Sequence, residues 1–176
     1  MEQVLDVYKR PYNEDFPVVC MDESPKQLVE TIQEEKIEPG KDKRVDYEYI
    51  RHGVANVFMA NEPLNGKRLV KITEFKKKED WAKFVKQIAD EMYPDAEKIT
   101  LVMDNFTTHS LGAFYEAFKP EEAKRLIDRF EFVYTPKHGS WLNMAEIELR
   151  IINSQCFNRH IASIEELKKR SRHGKK

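Results

Sequence analysis

The order of strand-like and helix-like segments is the sequence feature that most constrains the fold of this chain. A short Val-rich run, PVVCMDES, comes first, and a hairpin is predicted next, with strands over 55–60 and 68–73 joined by the turn Asn65-Gly66. Helical and strand-like segments then alternate. This order predicts an α/β fold, with a central mixed five-stranded sheet flanked by helices on both faces. In such sheets, sites lie at the carboxyl ends of parallel strands.

The remaining elements are predicted from apolar periodicity. Helices are expected in KKEDWAKFVKQIADEMYP, HSLGAFYEAF, PEEAKRLIDRF and NMAEIELRIINSQCF, with the start of another in SIEELKKR, and strands in EKITLVMD and EFVYTP. The polar segment 26–43 is predicted to be irregular, with at most a short helix. Residues 1–16 are expected to form a lead-in of helix and loop, residues 17–167 the folded domain, and residues 168–176 a basic tail.

The composition is that of one globular domain. The chain has 176 residues, of which 40% are hydrophobic and 35% charged, and its net charge of −1 neither favours nor disfavours a nucleic-acid partner. Cys20 and Cys156 lack CxxC spacing, so neither a zinc site nor a disulfide framework is expected, and a cytosolic setting fits. No apolar run approaches the length of about 20 residues that a membrane span needs.

Two of the predicted strands deliver an aspartate at their ends, Asp22 in VVCMDES and Asp104 in LVMDNFTTHS. If the two strands are neighbours in the sheet, the two carboxylates lie side by side, which costs electrostatic energy because like charges repel. A divalent cation would compensate that charge, and carboxylate oxygens suit Mg²⁺ and Mn²⁺. The pair therefore indicates a metal site.

A third acid is expected from the helix that begins within TPKHGSWLNMAEIELRI. Asn143 is a plausible N-cap, and Glu146 lies three residues later, so a capping box is one interpretation of Glu146. Glu148 is two residues further on and points away from Glu146 on a helix, so only one of the two can face a common site. Periodicity does not choose between them.

Three blocks, VVCMDES, LVMDNFTTH and YTPKHGSWLNMAEIEL, resemble in this order the catalytic blocks of transposases of bacterial insertion sequences related to the mariner superfamily. The resemblance covers about residues 1 to 167. It implies an RNase H-like fold with an Asp-Asp-Glu triad, here Asp22, Asp104 and Glu146, which holds two Mg²⁺ or Mn²⁺ ions. It further implies hydrolytic nicking at the element's ends, strand transfer into target DNA, assembly as a homodimer or larger on DNA, and a bacterial, nucleoid-associated location.

Other polar residues near these blocks are candidates for supporting or DNA-contacting roles. Asn105 and His109 follow the second aspartate, and for His109 a structural hydrogen-bonding role and an active-site role both stay open. Lys137, His138 and Ser140 precede the last helix, where Lys and helix-entry amides favour phosphates. For Trp141, a place in the core is favoured over stacking on a base. Glu23 is expected to be solvated or to lie behind the first aspartate.

Members of the resembling family usually carry an N-terminal helix-turn-helix recognition module, which this sequence lacks, so a separate or missing module is expected. Two alternatives to an active transposase domain follow. One is a truncated, catalytically silent remnant that binds DNA or oligomerises with full-length transposase. The other is a different RNase H-like nuclease, against which the HGSWLN block argues.

Overall fold

A computed structural model describes residues 1–32, 49–104 and 109–173 of the chain. Its strands are Val18–Thr31 (β1), Tyr49–Asn61 (β2), Arg68–Thr73 (β3), Ile99–Met103 (β4) and Phe130–Tyr134 (β5). Its helices are Glu2–Tyr8 (α1), Lys78–Gln87 (α2), Gly112–Ala117 (α3), Pro120–Arg129 (α4), Ala145–Cys156 (α5) and Ile164–His173 (α6). A π-helical segment, Ile88–Met92, continues α2, and a 3₁₀ turn, Ser140–Leu142, precedes α5.

The five strands form one mixed sheet in the order β3-β2-β1-β4-β5. The hairpin strands run antiparallel, β1 to β2 and β2 to β3, whereas β4 runs parallel to both β1 and β5. Strand β4 is buried along its whole length, because strands flank it on both edges and helices cover both faces. The predicted mixed five-stranded sheet, with helices on both faces, is confirmed.

The register between β1 and β4 decides where the two aspartates lie. Cys20 pairs with Val102, and this is the last pair between the two strands. Extending the same register by two residues brings Asp22 level with Asp104, which directly follows β4. Both aspartates therefore emerge at one edge of the sheet, where β1 and β4 stop pairing.

The alternation of side chains divides the interior between two helical layers. Val19 and Met21 pack in the cluster formed with α2, α3 and α4, whereas Cys20 packs on the opposite face with α1 and the start of α5. Along β1, Asp22 thus follows the face of Cys20, and Glu23 follows the face of Met21. A third cluster, under α5 and α6, covers the outer part of the hairpin.

The predicted irregular segment 26–43 is wrong over its first part, because β1 continues to Thr31. Leu28 is buried in the cluster under α5 and α6, and the Lys26 ammonium donates to the carbonyl of Phe157 at 2.7 Å. This part of β1 pairs only with β2, so most of its side chains are polar. Apolar periodicity therefore did not predict it as a strand. The rest of the segment, from residue 33, lies outside the described residues.

The C-terminal part of the chain also differs from expectation. Residues 168–173, predicted to belong to a basic tail, form the second half of α6, while the last three residues are outside the described part. Leu167 is buried in the cluster under α5 and α6, and this packing stabilises α6. Within residues 1–32, 49–104 and 109–173, no helix is long and apolar enough to cross a bilayer.

Candidate active site

Asp22 occupies a largely buried position among other carboxylates. Burial, together with the charges of Asp104, Glu23 and Glu146, raises its pKa to about 7, although the amide of Glu23 opposes the shift by donating to Asp22 Oδ1 at 2.8 Å. Such a shift means that ionised Asp22 is unfavourable while the neighbouring charges are uncompensated. The position is therefore rich in negative charge that a cation would neutralise.

The two glutamates of α5 have different surroundings. Glu148 is 18% exposed, and its Oε2 lies 2.7 Å from Nε of Arg68 on β3, so it is engaged in an ion pair across the outer sheet. Glu146 acts electrostatically on Asp22 instead. Of the two glutamates, Glu146 thus interacts with Asp22, whereas Glu148 is paired with Arg68.

The start of α5 does not contain the capping box that was considered for Glu146. The helix begins at Ala145, whose amide donates to Asn143 Oδ1 at 3.2 Å, while the amide of Glu146 bonds to the backbone carbonyl of Asn143 at 3.1 Å. The Asn143 side-chain amide donates to the carbonyl of Met21 at 2.7 Å. Asn143 therefore fastens the start of α5 to β1, one residue before Asp22.

His109 is buried between two carboxylates. Its Nδ1 lies 2.9 Å from Asp104 Oδ1, and its Nε2 lies 3.0 Å from Glu23 Oε2. Burial lowers the pKa of His109, but the hydrogen bonds to Asp104 and Glu23 outweigh burial and raise it to about 9. His109 is therefore an imidazolium at neutral pH that touches Asp104 directly.

Glu23 departs from one of its two sequence-based alternatives, that of a solvated side chain. Its side chain is only 2% exposed and contacts Lys76 as well as His109. Burial raises its pKa, but the bonds to His109 and Lys76 reverse the effect and hold the pKa below the ordinary value. The solvated alternative is wrong, because the alternation of β1 turns Glu23 into the layer of α2.

The loop before α5 presents several of the predicted DNA-contacting residues to solvent: Lys137, His138, Ser140 and Trp141 are all exposed. The favoured expectation of a core position for Trp141 is wrong, since this side chain is 68% exposed. The loop turns sharply at Gly139, where an added Cβ would lie 2.5 Å from Pro136 Cγ. This turn leaves Leu142, and not Trp141, to fill the core.

The predicted site residues thus fall into an acidic group and the group of exposed loop residues described above. Asp22, Asp104, Glu146 and His109 are linked by contacts or by electrostatic interaction. Asn105 lies outside the described residues. Sequence reasoning missed Lys76 and the buried role of Glu23. A signal was present, because Glu23 follows Asp22 on a strand and so points to the opposite face, where a buried carboxylate needs a cationic partner.

The donor set fits a hard divalent cation in kind and in charge. Asp22, Asp104 and Glu146 supply carboxylate oxygens, which Mg²⁺ and Mn²⁺ prefer, and the pKa of Asp22 is raised first by burial and then by the neighbouring negative charges. Over the described ranges, however, no three His, Cys, Asp or Glu side chains converge closely enough to hold an ion together. The acids therefore interact electrostatically without forming a shared set of three ligands in the described part of the chain.

Solved structures of Mos1 complexes share this fold. The pre-cleavage Mos1 transpososome has a TM-score of 0.62 at 14% identity, covering 99% of this chain and 52% of that chain. The Mos1 mariner paired end complex with Mn has a TM-score of 0.63 at 14% identity, with the same coverage, and the Mos1 strand transfer complex has 0.62 at 13% identity, covering 99% and 51%. The chain therefore has the RNase H-like fold and spans about half the length of these chains.

Sequence comparison identifies the family. No curated protein sequence matches the chain significantly. Residues 17–168, however, match the family model described as DDE superfamily endonuclease, and this stretch contains β1 to α5 and every acid discussed above. The chain therefore belongs to the DDE superfamily of endonucleases.

Proposed function

We propose that this chain is the catalytic domain of a transposase, which cleaves DNA phosphodiester bonds at the ends of a mobile element. The observation that carries the proposal is the register of β1 and β4, which brings Asp22 level with Asp104 while Glu146 approaches on the same face. Membership of the endonuclease family supports phosphodiester cleavage. The fold shared with Mos1 complexes supports transposition in particular.

In this proposal Asp22, Asp104 and Glu146 are the catalytic acids and hold two Mg²⁺ or Mn²⁺ ions. Bound ions of this kind supply an activated water or DNA 3′-hydroxyl, together with stabilisation of the leaving oxygen in an in-line displacement at phosphorus. The sheet holds the two aspartates, and Asn143 ties the start of α5 to β1. The backbone thereby fixes the approach of Glu146.

The exposed loop before α5 supplies the DNA contacts in this proposal. Lys137, His138 and Ser140 face solvent six to nine residues before Glu146, where they can reach phosphate oxygens. Trp141 offers its exposed indole to a base, since aromatic side chains stack on unpaired bases. Strand transfer, a homodimeric assembly on paired ends and a separate recognition module belong to the same proposal.

One observation favours a second candidate function, binding of DNA without cleavage. Within the described residues, the acids do not converge into a group of three that can share an ion. A protein whose acids stay apart would still bind DNA through its exposed loop but would not cleave it. The two candidates differ in whether a metal-dependent product forms.

The deciding experiment is cleavage of a labelled duplex that carries the element's end by the purified protein, with Mg²⁺, with Mn²⁺ and with EDTA. Asp104→Asn is compared with Asp128→Asn, a matched change at an exposed aspartate of α4 that pairs with Lys124. Metal-dependent nicking that is lost only in Asp104→Asn supports the catalytic proposal. Duplex binding without nicking, by protein shown to be folded, favours the second candidate.

A further inference from the structure

A chain of four alternating charges runs through the α2 side of the sheet and ends on Asp104. Lys76 Nζ lies 2.5 Å from Glu23 Oε1, and Glu23 Oε2 lies 3.0 Å from His109 Nε2. His109 Nδ1 in turn lies 2.9 Å from Asp104 Oδ1. The two central side chains are buried, so these contacts are little screened by solvent.

The ring of His109 is held on several sides. It stacks on the buried ring of Trp81, with a centroid distance of 5.4 Å and an interplanar angle of 23°. The hydroxyl of Tyr134 donates to the His109 carbonyl at 3.2 Å, which fixes the backbone as well. A ring held in this way keeps Nδ1 beside Asp104, where it bonds to the Asp104 backbone carbonyl at 3.2 Å and makes an ionic contact with Oδ1.

The charges along this chain follow from the chemistry of its partners. Both ring nitrogens of His109 face carboxylate oxygens, which only accept hydrogen bonds, so both nitrogens must donate and the ring is a cation. Positive and negative groups then alternate from Lys76 to Asp104. A buried carboxylate at position 23 is tolerated because it has a cation on each side.

Asp104 is left with one oxygen engaged and the rest of its carboxylate accessible. Its Oδ1 is buried, whereas the side chain as a whole is 33% exposed, so the exposure belongs to its other atoms. Within the described residues Oδ1 accepts no well-aligned hydrogen bond, so it is the ionic contact with the His109 ring that favours this orientation of the carboxylate. The exposed part of the carboxylate, which directly follows β4, is therefore the part available to an ion.

We infer that Glu23 is a positioning residue, which acts through His109 to orient the Asp104 carboxylate for binding a divalent cation. The inference rests on the proposed function, in which Asp104 is a metal ligand. Partners that hold a ligating carboxylate commonly change metal affinity by about 10-fold or more when they are replaced. Glu23 is expected to act in this way although it does not touch the ion.

Glu23 itself is poorly placed to be a ligand. Both of its oxygens meet cations, Lys76 on one and His109 on the other, and its side chain lies on the opposite face of β1 from Asp22. A ligand role would require breaking at least one of these buried pairs. The geometry therefore favours orientation of Asp104 over direct coordination.

The test is a double-mutant cycle on the affinity for Mn²⁺, measured by calorimetry on the full chain without DNA. The proteins are the unmodified chain, Glu23→Gln, Asp104→Asn and the double variant. Glu131→Gln is the matched control, because Glu131 lies at the start of β5 and pairs with Arg10 instead of with the residues near Asp104. Thermal unfolding followed by circular dichroism checks that each protein is folded at the temperature of the titration.

We expect Glu23→Gln to weaken Mn²⁺ binding by about 10-fold when Asp104 is present and to change it little in Asp104→Asn. Glu131→Gln should bind as the unmodified chain does. Lys76→Gln removes the charge of Lys76, the more exposed partner of Glu23. It therefore provides a second variant should Glu23→Gln not fold. It should weaken binding by a smaller factor, again only when Asp104 is present.

Three results would overturn the inference, and they are distinguishable. If Asp104→Asn loses affinity while Glu23→Gln and Lys76→Gln bind normally, the proposed function stands and the positioning role is wrong. If Glu23→Gln weakens binding equally in both backgrounds, Glu23 acts independently of Asp104. If the unmodified chain does not bind Mn²⁺, or Asp104→Asn binds equally well, the proposed function fails and the inference fails with it.

Discussion

Arg68 Nε lies 2.7 Å from Glu148 Oε2, and this ion pair separates the two glutamates of α5. Glu148 is attached to β3, whereas Glu146 contributes to the negative charge around Asp22. The two side chains have the same chemistry and lie only two residues apart. Replacing each by glutamine therefore compares the loss of a proposed catalytic acid with the loss of a structural ion pair, within one turn of the same helix.

We expect Glu146→Gln to abolish metal-dependent nicking without lowering the stability of the metal-free protein. Glu148→Gln should keep nicking but cost about 1 kcal/mol of unfolding free energy, because it weakens a partly exposed ion pair. Urea unfolding and duplex cleavage measure the two effects. The opposite pattern, with nicking lost only in Glu148→Gln, would show that Glu148 is the third acid.

The raised pKa of Asp22 predicts a pH-dependent stability of the metal-free protein. Because the folded state raises this pKa from near 4 to about 7, it favours the protonated carboxyl, and stability falls as the pH rises from about 4 to 7. Asp22→Asn removes that loss. Its melting temperature should exceed that of the unmodified chain by about 3 to 6 °C at pH 8, with a smaller difference at pH 5.

Thermal unfolding at both pH values, in the presence of EDTA, checks this expectation. Asp128→Asn is again a suitable control, since it removes an exposed carboxylate that pairs with Lys124. A lower melting temperature for Asp22→Asn at pH 8 would contradict the assignment of uncompensated negative charge to this position.

The buried His109 predicts a coupled effect on stability. His109→Leu removes the cation between Glu23 and Asp104, so about 3 kcal/mol of unfolding free energy should be lost. Adding Glu23→Gln removes the buried charge that His109→Leu leaves behind, so the double variant should be more stable than His109→Leu alone. Urea unfolding of the single and double variants measures this coupling, and simple additivity of the two losses would refute it.

The exposed indole of Trp141 predicts a loss of DNA affinity without a loss of stability. Trp141→Ala should weaken binding of a duplex with an unpaired end by about 5- to 150-fold, since stacking on one base contributes about 1–3 kcal/mol. Its melting temperature should not change. Phe75→Ala, at another largely exposed aromatic residue, is the matched control, and equal DNA affinity of both variants would argue against a base contact.

Much of the architecture was predictable because local patterns carry it. Asn65-Gly66 predicts the hairpin turn, and the apolar run before Asp104 predicts a strand buried on both faces; both are found. The segment 26–31 was misjudged since a strand paired on one edge only needs few apolar side chains. Trp141 was misjudged because composition alone does not tell which of two neighbouring apolar residues, Trp141 or Leu142, turns inward.

The sequence by itself determined the kinds of groups at the site: two strand-ending aspartates, a glutamate early in a helix and a basic, aromatic loop before it. The tertiary structure alone decided which groups meet. The register of β1 and β4 brings Asp22 level with Asp104, Arg68 engages Glu148, and Glu23 reaches His109. Such pairings depend on strand order and on the facing of side chains between distant segments, which local periodicity does not encode.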